Sequence, residues 1–363
     1  MKKFDDTDMT EWSFYLYSAA INSRMLRFGY QFLGPFLLDW YNRLACATRG
    51  LPTDTIYMFG REGWNLVPLF NSIEAMRGGD RRRYLYLNTS RALLTHISLS
   101  NPQCADFGFE VNFEGTVRQF FESRLGLPFE LLEAPDIGDQ FVKLPRDGEY
   151  LKQIFNRRRV VVEGFSAKSR DLYERYLVRS GFDLSKQHII SDVGFRGTTQ
   201  ALLSAIYGFN IRGFYALLDP IAVPAAPPLA LGAVAGLFSD TRSFGEGYAP
   251  LDRSLLLEAL LTAPFGQIIG IQDVEHGDPF LYRAGSDAQR NFSIIGECFQ
   301  GAHKFAIDNI DLLGSPEPLI EDFVQFFESY HAAIVSDADA FKPIFALDDS
   351  FFGTDINNAG LKL

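Results

Sequence analysis

The sequence predicts an α/β fold with a mostly parallel sheet and helices on both faces. Three observations predict it. Short β-branched or aromatic runs alternate with stretches of helical length, the order that builds βαβ units. Two of those runs, Thr55–Phe59 and the one containing Ile189 and Ile190, end in a glycine-containing turn that passes at once into an apolar helical pattern. No segment repeats at a period of roughly 20–50 residues, which sets aside solenoids and propellers.

Each element has a local reason. Residues 10–49 read as two helices rich in aromatics, with a turn near Arg27-Phe28-Gly29. Tyr30 to Trp40 is the most apolar run, but Pro35 and Asp39 interrupt it and the polar residues fall at helical spacing, so it reads as a buried helix. Thr55–Phe59 is a strand and Trp64–Met76 a helix, joined by Gly60-Arg61-Glu62-Gly63. Arg83–Leu87 is the next strand, leading into a short helix after Ser90-Arg91. Residues 101–147 look like an insertion, with a helix at Thr116–Leu125 between proline-rich connections. Helix returns from Gly148 to Arg179, with Val160-Val161-Val162 read as a local strand or a buried segment.

The strand ending at Asp192 follows, with its turn and helix, and then a strand at Gly213–Leu218. Asp219–Gly232 holds four prolines, Pro220, Pro224, Pro227 and Pro228, and reads as a loop. Ala233–Phe238 returns to the sheet, Leu255–Leu261 is a helix, Gln267–Ile271 and Pro279–Arg283 are short strands, and residues 287–345 are mainly helical. The chain thus divides into an N-terminal helical segment (1–50) packed on the core, an α/β core (51–285) carrying the insertion 101–147, and a C-terminal helical region (286–363).

Composition bounds the function. The 363 residues, 47% apolar and 22% charged, suit two domains or one elaborated domain with a large core. A net charge of −11 argues against a general nucleic-acid binder, since affinity for a polyanion comes from clustered Lys and Arg. The local basic runs Arg81-Arg82-Arg83 and Arg157-Arg158-Arg159 read as solvated faces, with anionic lipid or a phosphorylated ligand as the sharper alternative. Cys46, Cys104 and Cys298 are too far apart in sequence to mark a disulfide scaffold or a zinc site. The start lacks a signal-peptide apolar core, and no apolar run approaches the roughly 20 residues of a bilayer span. The expectation is a cytoplasmic protein, not transmembrane, with peripheral attachment at the inner membrane left open.

Residues 187–203 carry the clearest chemical signal. The strand ends at Asp192, then Gly194, Arg196, Gly197, Thr198 and Thr199 form a turn, and Ala201, Leu202, Leu203 and Ile206 begin a helix. Glycines let the backbone expose successive N–H groups, the helix start adds unpaired donors and a positive dipole end, and threonine hydroxyls complete a phosphate cradle. The carboxylate of Asp192 suits the hydroxyls of a sugar that carries the phosphate. Gly60-Arg61-Glu62-Gly63 has the same layout, so the two turns together would hold two phosphate groups of one ligand. Arg61 would pair with phosphate oxygens through its planar fork, and Glu62 would hold Mg²⁺ or take a proton. The bland reading of this turn is a tight loop with a surface ion pair. Its weight as a site comes from three strand ends that would present Arg61, Arg91 and Arg196 to one crevice.

Glu258 lies within Leu255-Leu-Leu-Glu-Ala-Leu-Leu261, where an unpaired carboxylate is costly to bury; it sits either on an exposed face or in a site. Asp252 and Arg253 read as capping and surface residues. The five histidines show no metal spacing, and neither a serine-nucleophile elbow nor a P-loop is present. Asp5-Asp6-Thr7-Asp8 lacks the preceding apolar strand that would aim a phosphatase nucleophile, and reads as an acidic tail.

Asp192-Val-Gly-Phe-Arg-Gly-Thr-Thr199 resembles the phosphoribosyl pyrophosphate loop of type I phosphoribosyltransferases. Asp192, Gly197 and Thr199 fall on that pattern's second acid, glycine and last threonine; Ser191 replaces the first acid and Arg196 the first threonine. Gly60-Arg-Glu-Gly63 looks like a degenerate pyrophosphate loop. Together with Leu-Asn-Thr-Ser-Arg (87–91) and Leu-Glu-Ala-Leu-Leu-Thr-Ala-Pro (257–264), these motifs are similar to a family found in bacterial surface-polysaccharide gene clusters. Its members are often fused to, and labelled as, haloacid-dehalogenase-like hydrolases. The resemblance covers approximately residues 20–270 and does not include the phosphatase domain.

The resemblance implies a type I phosphoribosyltransferase-like core and a glycosyltransferase of O-antigen or capsule biosynthesis. Phosphoribosyl pyrophosphate would be the donor, Mg²⁺ the cofactor, a glycan or lipid-linked glycan the acceptor, and a separate phosphatase a later partner. Gly194, Arg196, Gly197, Thr198 and Thr199 would take the 5-phosphate, and Gly60, Arg61, Gly63 and Arg91 the pyrophosphate. Asp192 would orient the ribose and, with Glu62, hold Mg²⁺; Glu62 or Glu258 would accept the proton. Back-side attack on the α-linked donor would give a β-ribofuranosyl 5-phosphate. The rivals are a haloacid-dehalogenase-like sugar-phosphate phosphatase, for which Asp192-Val-Gly lacks the second acid, and a non-catalytic subunit of a polysaccharide-assembly complex.

Overall fold

The protein is seen in a computed structural model that describes residues 23–78, 82–220, 233–314, 317–345 and 350–352. Strands β1 (Thr55–Met58) and β2 (Arg83–Tyr86) begin the main sheet, and β3 (Phe113–Thr116) pairs antiparallel with β4 (Phe141–Leu144) inside the insertion. The main sheet is completed by β5 (Gln187–Asp192), β6 (Asn210–Leu217) and β7 (Val234–Ser239). A separate antiparallel hairpin follows, β8 (Ile268–Ile271) with β9 (Phe280–Tyr282).

The main sheet has five strands, all parallel, in the order β2-β1-β5-β6-β7 and flanked by helices. From β1 the chain steps outward to β2, then returns to lay β5 on the other side of β1. Such a reversal leaves a crevice between the loops that leave the two neighbouring strands, at their carboxyl ends. Those loops are the two glycine turns, 59–63 and 193–197.

Strand residues alternate between two cores. Ile56, Met58, Ile189 and Phe214 enter one apolar cluster with Trp40, Phe70 and Cys298; Tyr57, Phe59, Ile190 and Tyr215 enter the other with Leu93, Tyr173 and Leu202. A sheet covered on both faces explains why β5 is buried at four successive residues, His188 to Ser191, rather than at alternate ones.

The first core is closed by the N- and C-terminal helices together. Contrary to the expected turn near Arg27-Phe28-Gly29, the helix Arg24–Phe28 runs through a π-helical turn, Gly29–Leu33, into Gly34–Ala47 without changing direction into a loop. Gly29 has right-handed helical angles, φ −56° and ψ −44°. Its missing side chain lets the Cys298 carbonyl approach, and Gly301 reciprocates against the Leu26 carbonyl. The glycine marks a close crossing with the helix Phe292–Asp308, not a turn. Asp39 is fully buried, takes Arg43 Nε at 3.0 Å, and accepts the N–H groups of Leu319 and Ile320 at 3.0 and 3.2 Å. That carboxylate ties the N-terminal helix to the C-terminal region. Among the described residues, no helix is long and apolar enough to cross a membrane.

The insertion contains more than its helix. Thr116 and Gln119 form a capping box, the helix Val117–Gln119 passes into a π turn at Phe120–Arg124, and β3 and β4 with Phe109, Phe120 and Phe155 form a third apolar cluster. The expected helix 148–179 breaks at Arg158 into Gly148–Arg157 and Arg159–Arg179. Val160-Val161-Val162 is helical rather than strand, with Val162 buried and Val160 83% exposed. Arg158 and Arg159 pair with Glu133 and Glu163, as on an ordinary solvated face. Asp5–Asp8, Arg81 and all but the first two residues of the Asp219–Gly232 loop lie outside the described residues.

Candidate functional site

The crevice between the β1 and β5 turns opens into a cavity of about 410 Å³. On its wall lie Gly60, Arg61, Glu62, Arg91, Asp192, Gly194, Arg196, Gly197, Thr198, Thr199 and Glu258, eleven of the twelve residues singled out in the sequence. Gly63 is the exception. It is buried as the first residue of the helix Gly63–Arg77, where a Cβ would come 2.8 Å from the Met58 carbonyl oxygen. Its role is close packing of helix on strand, not ligand contact.

The β5 turn presents backbone. Gly197 is the N-cap of the helix Thr198–Tyr207 in the left-handed region, φ 63° and ψ 15°, and no side chain caps that helix start. An L side chain at such angles is strained, so glycine suits this helix start. Gly194 lies against the Leu217 carbonyl, at 2.5 Å from where a Cβ would stand. Arg196 is half-exposed, with Nε 4.0 Å from Asp219 Oδ2 and its guanidinium 5.4 Å from the centre of the Phe244 ring. Asp219, a buried acid just beyond β6, was not singled out in the sequence; an acid directly after a strand is the signal that marks it.

The β1 turn presents charge. Gly60 takes φ 67°, which brings Glu62 back against it. Arg61 Nη1 is buried on the cavity wall with no hydrogen-bond partner. A guanidinium N–H left unpaired in that position is costly unless an anion reaches it. Arg91, first residue of the helix Arg91–Ser98, stands with its guanidinium 5.0 Å from the Phe352 ring centre.

Two carboxyl groups titrate abnormally. Burial pushes Asp192 well above the usual carboxylate range and the negative charge of Glu62 pushes it further; the Val193 N–H, 2.8 Å from Oδ1, opposes this. Glu258 also raises it, so that carboxylate lies within electrostatic reach, and Arg91 lowers it. Glu62 is likewise raised by burial, against Arg61 and Arg91. Ser191, at the position where the resemblance places an acid, is buried on the opposite face and receives Trp40 Nε1 at 3.3 Å. Strand alternation therefore sends only Asp192 to the cavity.

Among the described residues, no three His, Cys, Asp or Glu side chains are grouped as metal ligands. The pair Glu62 and Asp192 still fits Mg²⁺, which commonly binds through one or two carboxylates and completes its shell with substrate phosphates and water. The charge of Glu62 raises the proton affinity of Asp192, a repulsion that a shared cation would relieve. The histidines play no part on this wall: His96, for example, is buried between the Leu125 carbonyl at 2.9 Å and Ser169 Oγ at 3.0 Å.

The cavity is also lined by Tyr86, Thr89, Phe265, Gln267 and Phe352, none of which the sequence marks as a site residue. Asp252, read as a cap, instead ends the helix Ala249–Asp252, accepts the loop N–H groups of Gly245 and Gly247 at 2.6 and 3.0 Å, and lines the cavity. No known protein-family model matches the chain, and no curated protein matches it.

Proposed function

We propose that the protein is a glycosyltransferase that moves a 5-phosphoribosyl group from phosphoribosyl pyrophosphate to a sugar hydroxyl in surface-polysaccharide assembly. The observation that carries this reading is the pairing of an uncapped helix start after β5 with the buried, unpartnered Nη1 of Arg61 after β1, both on the lining of one crevice. A ligand bearing an anion at each end, with hydroxyls between them for Asp192, matches that order.

In this reading, Gly194, Gly197, Thr198 and Thr199 grip the 5-phosphate, and binding energy from that remote handle positions C1. Arg61 and Arg91 receive the charge that develops as the C1–O bond to pyrophosphate breaks. Mg²⁺ held by Glu62 and Asp192 would add positive charge for the same leaving group. The acceptor oxygen forms the new bond to C1. Glu258, on the lining of the same cavity, would take the acceptor's proton. A wall that is acidic overall yet lined by three arginines would favour a compact anionic ligand over a nucleic-acid strand. A phosphatase of the aspartyl type is disfavoured because Gly194 stands where its second acid is needed.

Incubation with phosphoribosyl pyrophosphate, Mg²⁺ and a panel of glycosides tests this. The expected result is release of pyrophosphate with a mass gain of one phosphoribosyl unit on the acceptor. Release of free phosphate with no new glycoside would replace the proposal by the hydrolase, and donor binding without turnover would replace it by the non-catalytic subunit.

A further inference from the structure

Part of the cavity lining is left unused by the donor as placed above: besides the two glycine turns, the cavity is lined by the aromatic rings of Tyr86, Phe265 and Phe352 and by Gln267. Gln267 Oε1 is buried and has no hydrogen-bond partner. A neutral acceptor atom left unpaired in a cavity wall calls for a neutral donor, an O–H or N–H, from a ligand. The rings around it are held by packing rather than by polar bonds. Trp64 meets Tyr86 edge-on with centroids 5.7 Å apart and Phe265 edge-on at 5.3 Å, while Tyr282 packs on Phe265 at 4.8 Å. Trp64 and Tyr282 brace the Phe265 ring where it lines the cavity.

We infer that this wall is the acceptor subsite, and that it binds a sugar ring: the apolar C–H face lies on Phe265 and Tyr86, and a ring hydroxyl donates to Gln267 Oε1. The inference rests on the proposed transferase reading and assigns its second substrate to named residues. Ligand pockets commonly combine apolar rings with a few polar groups that fix orientation. The position also suits the chemistry, because Glu258 borders the same cavity and could take the proton from a hydroxyl presented across it.

The test uses the full-length protein with and without Gln267→Leu, a change that keeps volume and removes an oxygen the protein itself does not bond. Phe265→Leu serves as a second variant. Calorimetric titration with phosphoribosyl pyrophosphate and Mg²⁺ reads the donor side, and ligand-observed NMR with methyl hexopyranosides and, separately, adenine and guanine reads the acceptor side. The expected result is an unchanged donor affinity with glycoside affinity and acceptor KM weakened about ten-fold in Gln267→Leu. Unchanged glycoside binding in both variants, or no detectable glycoside binding by the wild type, would overturn the subsite while leaving the donor reading in place. Nucleobase binding in place of glycoside would overturn the sugar assignment. Failure of the wild type to bind the donor would instead remove the transferase reading on which the inference stands.

Discussion

The turns after β1 and β5 share a plan, strand into glycine turn into helix, and differ in where their charge comes from. After β5 no side chain caps the helix start, and the one cation of the turn, Arg196, is half-exposed and already near Asp219. After β1 the backbone is spent on folding Glu62 back beside Gly60, and the charge is carried by side chains, with Arg61 Nη1 buried and unpaired. The first arrangement is a rigid cradle. The second holds a buried guanidinium nitrogen without a partner, which an anionic ligand would satisfy. Side-chain deletions should therefore cut deeply after β1, and backbone changes should matter more after β5.

The largest effects are expected on the side-chain half. Arg61→Ala should lower transfer about 10²–10³-fold, the usual loss when one oriented donor to a charged transition state is removed. Glu258→Gln should lower kcat by about 10²-fold or more with donor affinity intact, as for loss of a general base. Steady-state kinetics beside calorimetric donor binding would check both; weakened donor binding in Glu258→Gln would move that residue out of the proton-transfer role.

On the cradle half, Gly197→Ala should destabilise the fold by about 1–2 kcal/mol, since the residue sits at positive φ, and should raise the donor KM. Arg196→Ala should change activity less than ten-fold. An Arg196 effect as large as that of Arg61 would erase the contrast between the turns.

Smaller still are the effects on stability. Asp192 has its carboxyl raised in the folded state, so the folded protein is favoured at low pH and loses stability as pH rises through that raised value. Asp192→Asn should then stabilise the fold at neutral pH by on the order of 1 kcal/mol in denaturant titrations, while abolishing transfer. His96 works in the opposite direction. Burial pushes it down to about 4 from 6.5, so the unfolded chain takes up a proton first and stability falls as pH drops from 6.5 toward 4. Denaturant titrations across that range should show the fall flattened in a His96→Gln variant.

Much of the fold was legible because its signals are local. Ile189-Ile190 before Asp192, Thr55–Met58 before Gly60, and Ser90 as a helix cap each announce an element through neighbours in sequence, and the main-sheet strands lie where those runs stand. Gly29 misled because close helix packing and turning use the same residue, and only Cys298, far along the chain, distinguishes them. The β3 and β4 pair escaped notice because its two short strands lie more than 20 residues apart. The site divides in the same way. Residues adjoining the glycine turns were visible, whereas Gln267, Phe265 and Phe352 reach the cavity only through tertiary packing. Phe352 is a case in point: Arg124, fully buried, donates to the Phe351 carbonyl at 3.0 Å and stands over its ring, drawing this distant segment to the cavity.

The central claim is that one ligand spans both turns. Separate calorimetric titrations with ribose 5-phosphate and with Mg²⁺-pyrophosphate, each into the wild type, Arg61→Ala and Thr199→Val, test it most directly. The account predicts that Arg61→Ala weakens pyrophosphate alone and Thr199→Val weakens ribose 5-phosphate alone. Loss of both ligands in either variant, or binding of neither by the wild type, would contradict it.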